Sequence, residues 1–172
     1  GNKVILIGTD LGNPDLSKLF DNKNIKLNPK GLTDIIYDND NDFKKLFEQY
    51  KIKENQLDTL FVGKKLRHNV FEHDKFDELI SYLKEKYDYI VFDTAPVMMM
   101  ADTLKLLEKS DFIIHVFRKY FSSIKLVNIL LEYIEKFKLK NIGYIITDDT
   151  KPDKFIDKYG YGYGYGYGYG TT

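Results

Sequence analysis

Twice in this chain a nearly continuous apolar run ends on an aspartate. In "YDYIVFDTAPV" (87–97) the run stops at Asp93, followed by Thr94, Ala95 and Pro96. In "VILIGTDLGNPDLSKLF" (4–20) it leads to Asp10 and a turn closed by Pro14. Ligands of open α/β sheets bind outside the carboxyl ends of parallel strands. An aspartate placed there can hold Mg²⁺, often through water, and the metal can in turn hold nucleotide phosphates. Two strands that deliver carboxylates to one sheet edge suit metal binding and proton transfer. Taken alone, the segment around Asp93 leaves a second reading open, in which the side chain caps the turn that follows.

The elements that must position these residues can be read from hydrophobic periodicity. Strand-length apolar runs recur at 3–8, 57–62, 87–92, 111–117 and 141–146. They are continuous rather than alternating, which suits strands buried on both faces of a parallel sheet. Helical patterns lie between them at 74–86, with Asp74 as N-cap, at 101–109, and at 122–137, with Ser122 or Ser123 as cap. This alternation predicts an α/β domain, a mostly parallel sheet with helices on both faces and right-handed crossovers. In the last helix Ile124, Val127, Leu131, Ile134 and Phe137 share a face expected to cover the sheet. Between 20 and 56 the pattern predicts a short helix at 31–37, a turn at 38–42 and a helix at 42–51. The acidic turn "DNDND" (38–42) lacks the central glycine and terminal glutamate of a calcium loop and reads as a solvated turn.

Composition narrows the function classes. The 172 residues, 43% apolar and 30% charged, suffice for one core of ordinary size and not for two. Basic and acidic residues balance at 26 each, so no general attraction to nucleic acid or an anionic membrane is expected. The absence of cysteine excludes a disulfide framework and thiolate metal sites and fits the cytoplasm. No apolar run reaches the roughly 18–20 residues that cross a bilayer. The first methionine is Met98, and Gly1 runs almost at once into a strand, as in an internal fragment.

Other residues invite plainer readings. His68 and His73 flank "NVFE" and, with Asp74, make at most a weak metal pattern. His115 falls within a buried strand and is expected to be a hydrogen-bonded core histidine. Met98, Met99 and Met100 read as adaptable packing beside the site. Beyond Asp149 the periodicity stops, and "KYGYGYGYGYGYGTT" (158–172) alternates six tyrosines with six glycines. Ordering such a segment costs about 1–2 kcal/mol of backbone entropy per residue, more for glycine, with no core to offset it. The expected organisation is therefore a domain over 1–157 and a disordered tail over 158–172.

These motifs together resemble the bacterial tyrosine kinases that control capsule and exopolysaccharide synthesis, relatives of the MinD and ParA type P-loop ATPases. "VILIGTDLGNPDL" is similar to their second Walker motif, an apolar strand followed by Asp-x-Asp-x-Arg-x-Pro, and "YIVFDTAPV" to their Walker B motif, usually ending Asp-Thr-Pro-Pro. "ADTLKLLEKSDFIIHVFRKYFSS" resembles the segment that follows, and the tyrosine-rich end is the most specific match. The resemblance implies autophosphorylation with ATP and Mg²⁺, Asp93 holding the metal and Asp10 assisting at the acceptor. The acceptors would be Tyr159, Tyr161, Tyr163, Tyr165, Tyr167 and Tyr169. It also implies Arg118, in "RKYFS", as a nucleotide contact. The implied partners are a membrane polysaccharide co-polymerase, a protein-tyrosine phosphatase and further copies of the protein at the inner face of the membrane, with no nucleic acid.

The chain departs from the pattern in informative ways. The motif's first aspartate falls on Gly8 and its arginine on Gly12, leaving Asp10 and Pro14 in register. If the strand reached Asp10, residues 8 and 10 would share a face and Asp10 could partly substitute. Thr147 stands where relatives often place an asparagine near the base. No G-x-x-x-x-G-K-[ST] occurs in the 172 residues, so no phosphate-cradling loop is present, and ATP binding by this chain alone is expected to be poor. In the family that loop precedes the strand at 3–8, so the gap is read as truncation; the upstream basic helix that joins subunits into rings is missing as well. Two other functions remain: a degenerate kinase serving as phosphoacceptor and binding module, and a self-associating tyrosine tract.

Overall fold

The computed structural model describes residues 1–12, 14–20, 30–39, 42–54, 56–64, 69–96, 101–119, 122 and 124–147. In chain order the elements are β1 (Val4–Gly8), α1 (Leu32–Ile36), α2 (Phe43–Tyr50), β2 (Ile52–Glu54), β3 (Leu57–Leu60), α3 (Asp74–Lys86), β4 (Tyr89–Asp93), α4 (Ala101–Glu108), β5 (Ile113–Arg118), α5 (Ile124–Lys136) and β6 (Ile142–Thr147). Short 3₁₀ helices at Asp15–Leu19 and Val70–Glu72 join them. The α/β class with a mostly parallel sheet is thus observed. Four strands form one sheet in the order β2-β3-β1-β4, with β1 parallel to β3 and β4 and only the edge strand β2 antiparallel. The strands β5 and β6 form a separate parallel pair.

The two faces of the larger sheet differ. Ile5 and Ile7 of β1 are fully buried on one of them. They join Ile35 and Ile36 of α1, Phe47 of α2, and Phe76, Leu79 and Leu83 of α3 in the main core. In α3 the buried side chains recur at i, i+3 and i+7, one stripe of a 3.6-residue period, and each contributes about 1.5–3 kcal/mol when fully buried. On the opposite face Leu6 packs against Leu16, Phe20 and Phe61, to which the 3₁₀ helix at Asp15–Leu19 contributes Leu16.

Several local expectations change. The N-cap of α3 is His73, whose Nδ1 accepts the Lys75 N–H at 3.2 Å, and Asp74 is the first helical residue. The ring of His73 also packs edge-on against Tyr37, a structural role in place of metal binding. Ser122 does not cap α5; its hydroxyl accepts the Arg118 N–H at 3.0 Å, and Ser123 lies outside the described residues. The expected inner face of α5 is largely open, with Ile124 79% and Leu131 50% exposed, while Leu130 is the buried contact. His115 is half-buried beside Phe117 and not in the core, and burial lowers its pKa. Met98, Met99, Met100, His68 and the whole tail lie outside the described residues.

Two polar clusters lock the sheet to its helices. At the carboxyl end of β3, the buried Asp34 accepts the N–H groups of Gly31 (3.0 Å) and Lys64 (3.1 Å), tying α1 to the loop that follows β3. Between them Gly63 has φ +96°, and a Cβ there would stand 2.4 Å from Asp34 Oδ2. We expect Gly63→Ala to lower unfolding stability by more than about 1 kcal/mol, read from urea midpoints, because the left-handed backbone and the contact both oppose it. At the other end of the sheet Asp58 accepts the Tyr87 hydroxyl and pairs with Lys51 at 3.1 Å. Burial first, and then the bond to Asp58, push the Tyr87 phenol up to about 12, against the opposing charge of Lys51. The folded chain therefore holds this proton to higher pH than the unfolded one. Its stabilising effect is complete below about 10 and lost as pH rises through about 12. Stability should fall across that window, and less steeply in Tyr87→Phe, as measured by urea unfolding at stepped pH.

Candidate functional site

The register of β1 with β4 builds the site. Their parallel ladder runs from Val4↔Tyr89 to Gly8↔Asp93, so both strands end together at the carboxyl edge. Beyond the ladder Thr9 continues the contact: its N–H and its Oγ1 both donate to the main-chain oxygen of Asp93, each at 2.8 Å. The chain then turns at Asp10, whose Oδ1 accepts the Gly12 N–H at 3.0 Å. The strand stops at Gly8, so Asp10 belongs to the turn and does not share a strand face with residue 8.

Asp93 and Asp10 are close enough to interact electrostatically. Partial burial of Asp93 raises its pKa, and the neighbouring charge of Asp10 raises it further. Such repulsion between carboxylates is relieved by a cation. Among the described residues no group of three or more His, Cys, Asp or Glu side chains converges into an all-protein cage. Mg²⁺ needs none, since it keeps several waters and binds through one or two carboxylates together with substrate phosphates. The donor set therefore fits Mg²⁺, which Asp93 could hold with Asp10 beside it.

Asp93 also borders an open cleft of about 480 Å³ on the thinly covered face, lined by Leu6, Asp15, Leu16, Lys18, Val91 and Phe92 as well. Gly8, paired with Asp93, is not surrounded by empty space: a Cβ built there would be 3.3 Å from Leu16 Cδ2 and 3.5 Å from Val62. The position where the resemblance would put a first aspartate is thus crowded mainly by apolar side chains.

Arg118 ends β5, in the second sheet, paired in register with Thr147. Thr147 Oγ1 donates to the Phe117 carbonyl at 3.3 Å, and the Lys119 N–H donates to Thr147 at 2.9 Å. The six tail tyrosines lie outside the described residues. Thr9 is the residue of this edge that the sequence did not single out, because a threonine at a strand end reads only as a β-former.

The AAA domain family model matches residues 1–145. No curated protein matches the sequence. Among solved structures, the chain is similar to the VpsO kinase domain, at 24% identity and TM-score 0.69, over 87% of this chain and 71% of that one. It is similar to the kinase domain of Escherichia coli tyrosine kinase ETK, at 19% identity and TM-score 0.67, over 87% of this chain and 58% of that one. It is also similar to the MinD cell division protein of Aquifex aeolicus, at 21% identity and TM-score 0.59, over 85% of this chain and 56% of that one. These likenesses show a shared fold, the MinD and ParA type of P-loop NTPase. The chain spans less than two thirds of the ETK and MinD chains. No helix among the described residues is long and apolar enough to cross a membrane.

The packing around Gly8 gives a direct expectation. Gly8→Asp should not restore a working carboxylate at no cost. It should lower stability by about 1–3 kcal/mol, because it sets a charge against Leu16 and Val62 without a built partner. Chemical denaturation of the two proteins side by side measures this.

Proposed function

The chain belongs to the AAA domain family, and from that premise we propose that it supplies the metal-binding edge and the phosphoacceptor tail of a bacterial protein-tyrosine autokinase. The γ-phosphoryl of ATP would pass to Tyr159, Tyr161, Tyr163, Tyr165, Tyr167 or Tyr169, and the modified tail would regulate exopolysaccharide or capsule synthesis. The observation that carries the reading is the pairing of Gly8 with Asp93, which sets two interacting carboxylates at one sheet edge. In this role Asp93 holds Mg²⁺, Asp10 assists at the acceptor hydroxyl, and Arg118 contacts the nucleotide. Bound Mg²⁺ would neutralise charge on the β- and γ-phosphates.

The open strand edges support this reading, because a phosphate-binding element could dock on them. The outer edge of β4 and the free edge of β5 have no strand partner among the described residues. Tyr89, Val91, Ile114 and Val116 stay about half exposed on those two strands. An apolar strand running parallel to both would pair both edges at once. A G-x-x-x-x-G-K-[ST] loop at its carboxyl end would bring backbone N–H groups to the edge that carries Asp93. The partners that fit this reading are a membrane polysaccharide co-polymerase, a protein-tyrosine phosphatase and further copies of the protein, at the inner face of the membrane. Each phosphate would add about −1.5 to −2 charge, so several would make the tail self-repelling.

One observation favours a second reading. A Cβ at Gly8 would stand 3.3 Å from Leu16 Cδ2, so a side chain there needs Leu16 to give way, a crowding that suits a degenerate kinase whose tail is modified by an intact relative. The two readings are separated by treating the gene's full product with Mg-ATP, with and without an active tyrosine kinase, and measuring intact mass. Autokinase activity predicts phosphate additions without the second enzyme, confined to the tail and abolished by Asp93→Asn. Additions that appear only with the second enzyme select the phosphoacceptor reading. Additions that persist in Asp93→Asn remove the metal role assigned to that residue.

A further inference from the structure

The end of the β1–β4 ladder contains a contact that regular pairing does not require. In parallel pairing each paired residue bonds to the neighbours of its partner, and the Thr9 N–H to the Asp93 carbonyl is the last bond of the Gly8↔Asp93 step. The Thr9 hydroxyl adds a second bond to the same oxygen, also at 2.8 Å. Thr9 is only 2% exposed, so this bond is shielded from competing water.

We propose that Thr9 is a positioning residue for the Asp10 and Asp93 pair: its two bonds to one carbonyl fix the separation of the carboxylates and so prepare them to hold a divalent cation. The inference rests on the metal role proposed above for Asp93. Both carboxylates belong to residues at the clamp. Asp93 owns the bonded carbonyl, and Asp10 is the next residue after Thr9. Past this point the two segments separate, one into Thr94, Ala95 and Pro96, the other into the turn at Asp10. The side chain of Asp10 is held from the far side by the Gly12 N–H. With the clamp made, neither α-carbon can drift from the other. With the hydroxyl gone, a single backbone bond remains, and carboxylates that repel one another are free to move apart. A cation held by Asp93 with Asp10 beside it then has to re-form their spacing when it binds.

Valine tests the hydroxyl alone, since it keeps the shape, the β-branching and the backbone N–H of threonine. The probe is Mn²⁺, titrated into the ¹⁵N-labelled chain, with paramagnetic broadening of the amide signals of Asp10 and Asp93 as the readout. Thr9→Val is expected to weaken the apparent affinity roughly 10- to 100-fold, the usual effect of removing a group that orients a metal ligand, and Thr9→Ser to stay within about twofold of the parent. Ile36→Val, a trimmed core side chain remote in sequence from the clamp, lowers the unfolding midpoint and is expected to leave Mn²⁺ affinity unchanged. Equal affinity in Thr9→Val and the parent overturns the clamp while leaving the role of Asp93 standing. Parallel losses in Thr9→Val and Ile36→Val also overturn it, since the hydroxyl then serves stability alone. Absence of broadening at Asp93 in the parent overturns a prepared cation site, and the clamp with it, while a metal held jointly with phosphates is judged by Asp93→Asn above.

Discussion

The parallel ladder between β1 and β4 is the constraint on which the rest of this structure depends. Strand side chains alternate between faces, so a slip of one residue would turn every side chain of β4 over. Asp93 would then point into the helix-covered core, where Phe92 now packs beside Ile7. The apolar pattern forbids that slip, because Ile5 and Ile7 are fully buried and need Ile90 and Phe92 as neighbours on their face. The polar ends agree with it. Lys3 accepts the N–H groups of Asp88 and Tyr89, and the Asp88 carboxylate accepts the Lys3 N–H at 2.7 Å. The burial that sets the register therefore also aims the carboxylate.

The asymmetry of the sheet has a chemical consequence. Asp58 and Asp93 both stand on paired strands, at opposite ends and on opposite faces. Asp58, on the helix-covered face, is nearly buried and satisfied by Lys51 and Tyr87. Its partners are local, and it ties α2, β3 and the start of β4 together. Asp93 emerges on the face that little but a 3₁₀ helix covers, with the like charge of Asp10 as its electrostatic neighbour. A carboxylate with a built cation partner serves structure. One desolvated beside another carboxylate is poised to take a cation from outside, and perturbed groups of that kind concentrate at functional sites.

Much of this was legible in the sequence, and the reasons are local. The five long strands announce themselves as apolar runs, and α3 as a 3.6-residue stripe ending in Lys84 and Lys86. Asp10 and Asp93 could be named because each ends such a run. What escaped depends on contacts distant in sequence. The clamp of Thr9 on Asp93 spans 84 positions. The edge strand β2 is three residues long and polar at its centre, and it exists through its pairing with β3. The cap of α3 moved by one residue because an imidazole nitrogen can accept a backbone N–H as a carboxylate does. Gly8 could be read only against a motif, and the contacts that crowd it, from Leu16 and Val62, come from residues the motif does not name.

The division of the sheet is the point where sequence and structure pull against each other most. Runs as apolar as 87–92, 111–117 and 141–146 predict strands buried on both faces, yet Ile114, Val116, Tyr144 and Ile146 are more than half exposed. A two-stranded sheet has little stability of its own, and parallel pairs are ordinarily covered on both sides. The sequence of β5 and β6 is thus written for a larger sheet than the one they form here. In the proposed kinase, one parallel strand between β4 and β5 would remove both open edges and complete the phosphate site in the same step. Stability and nucleotide binding would then be coupled, because a nucleotide held only by the joined sheet favours the joined state by mass action.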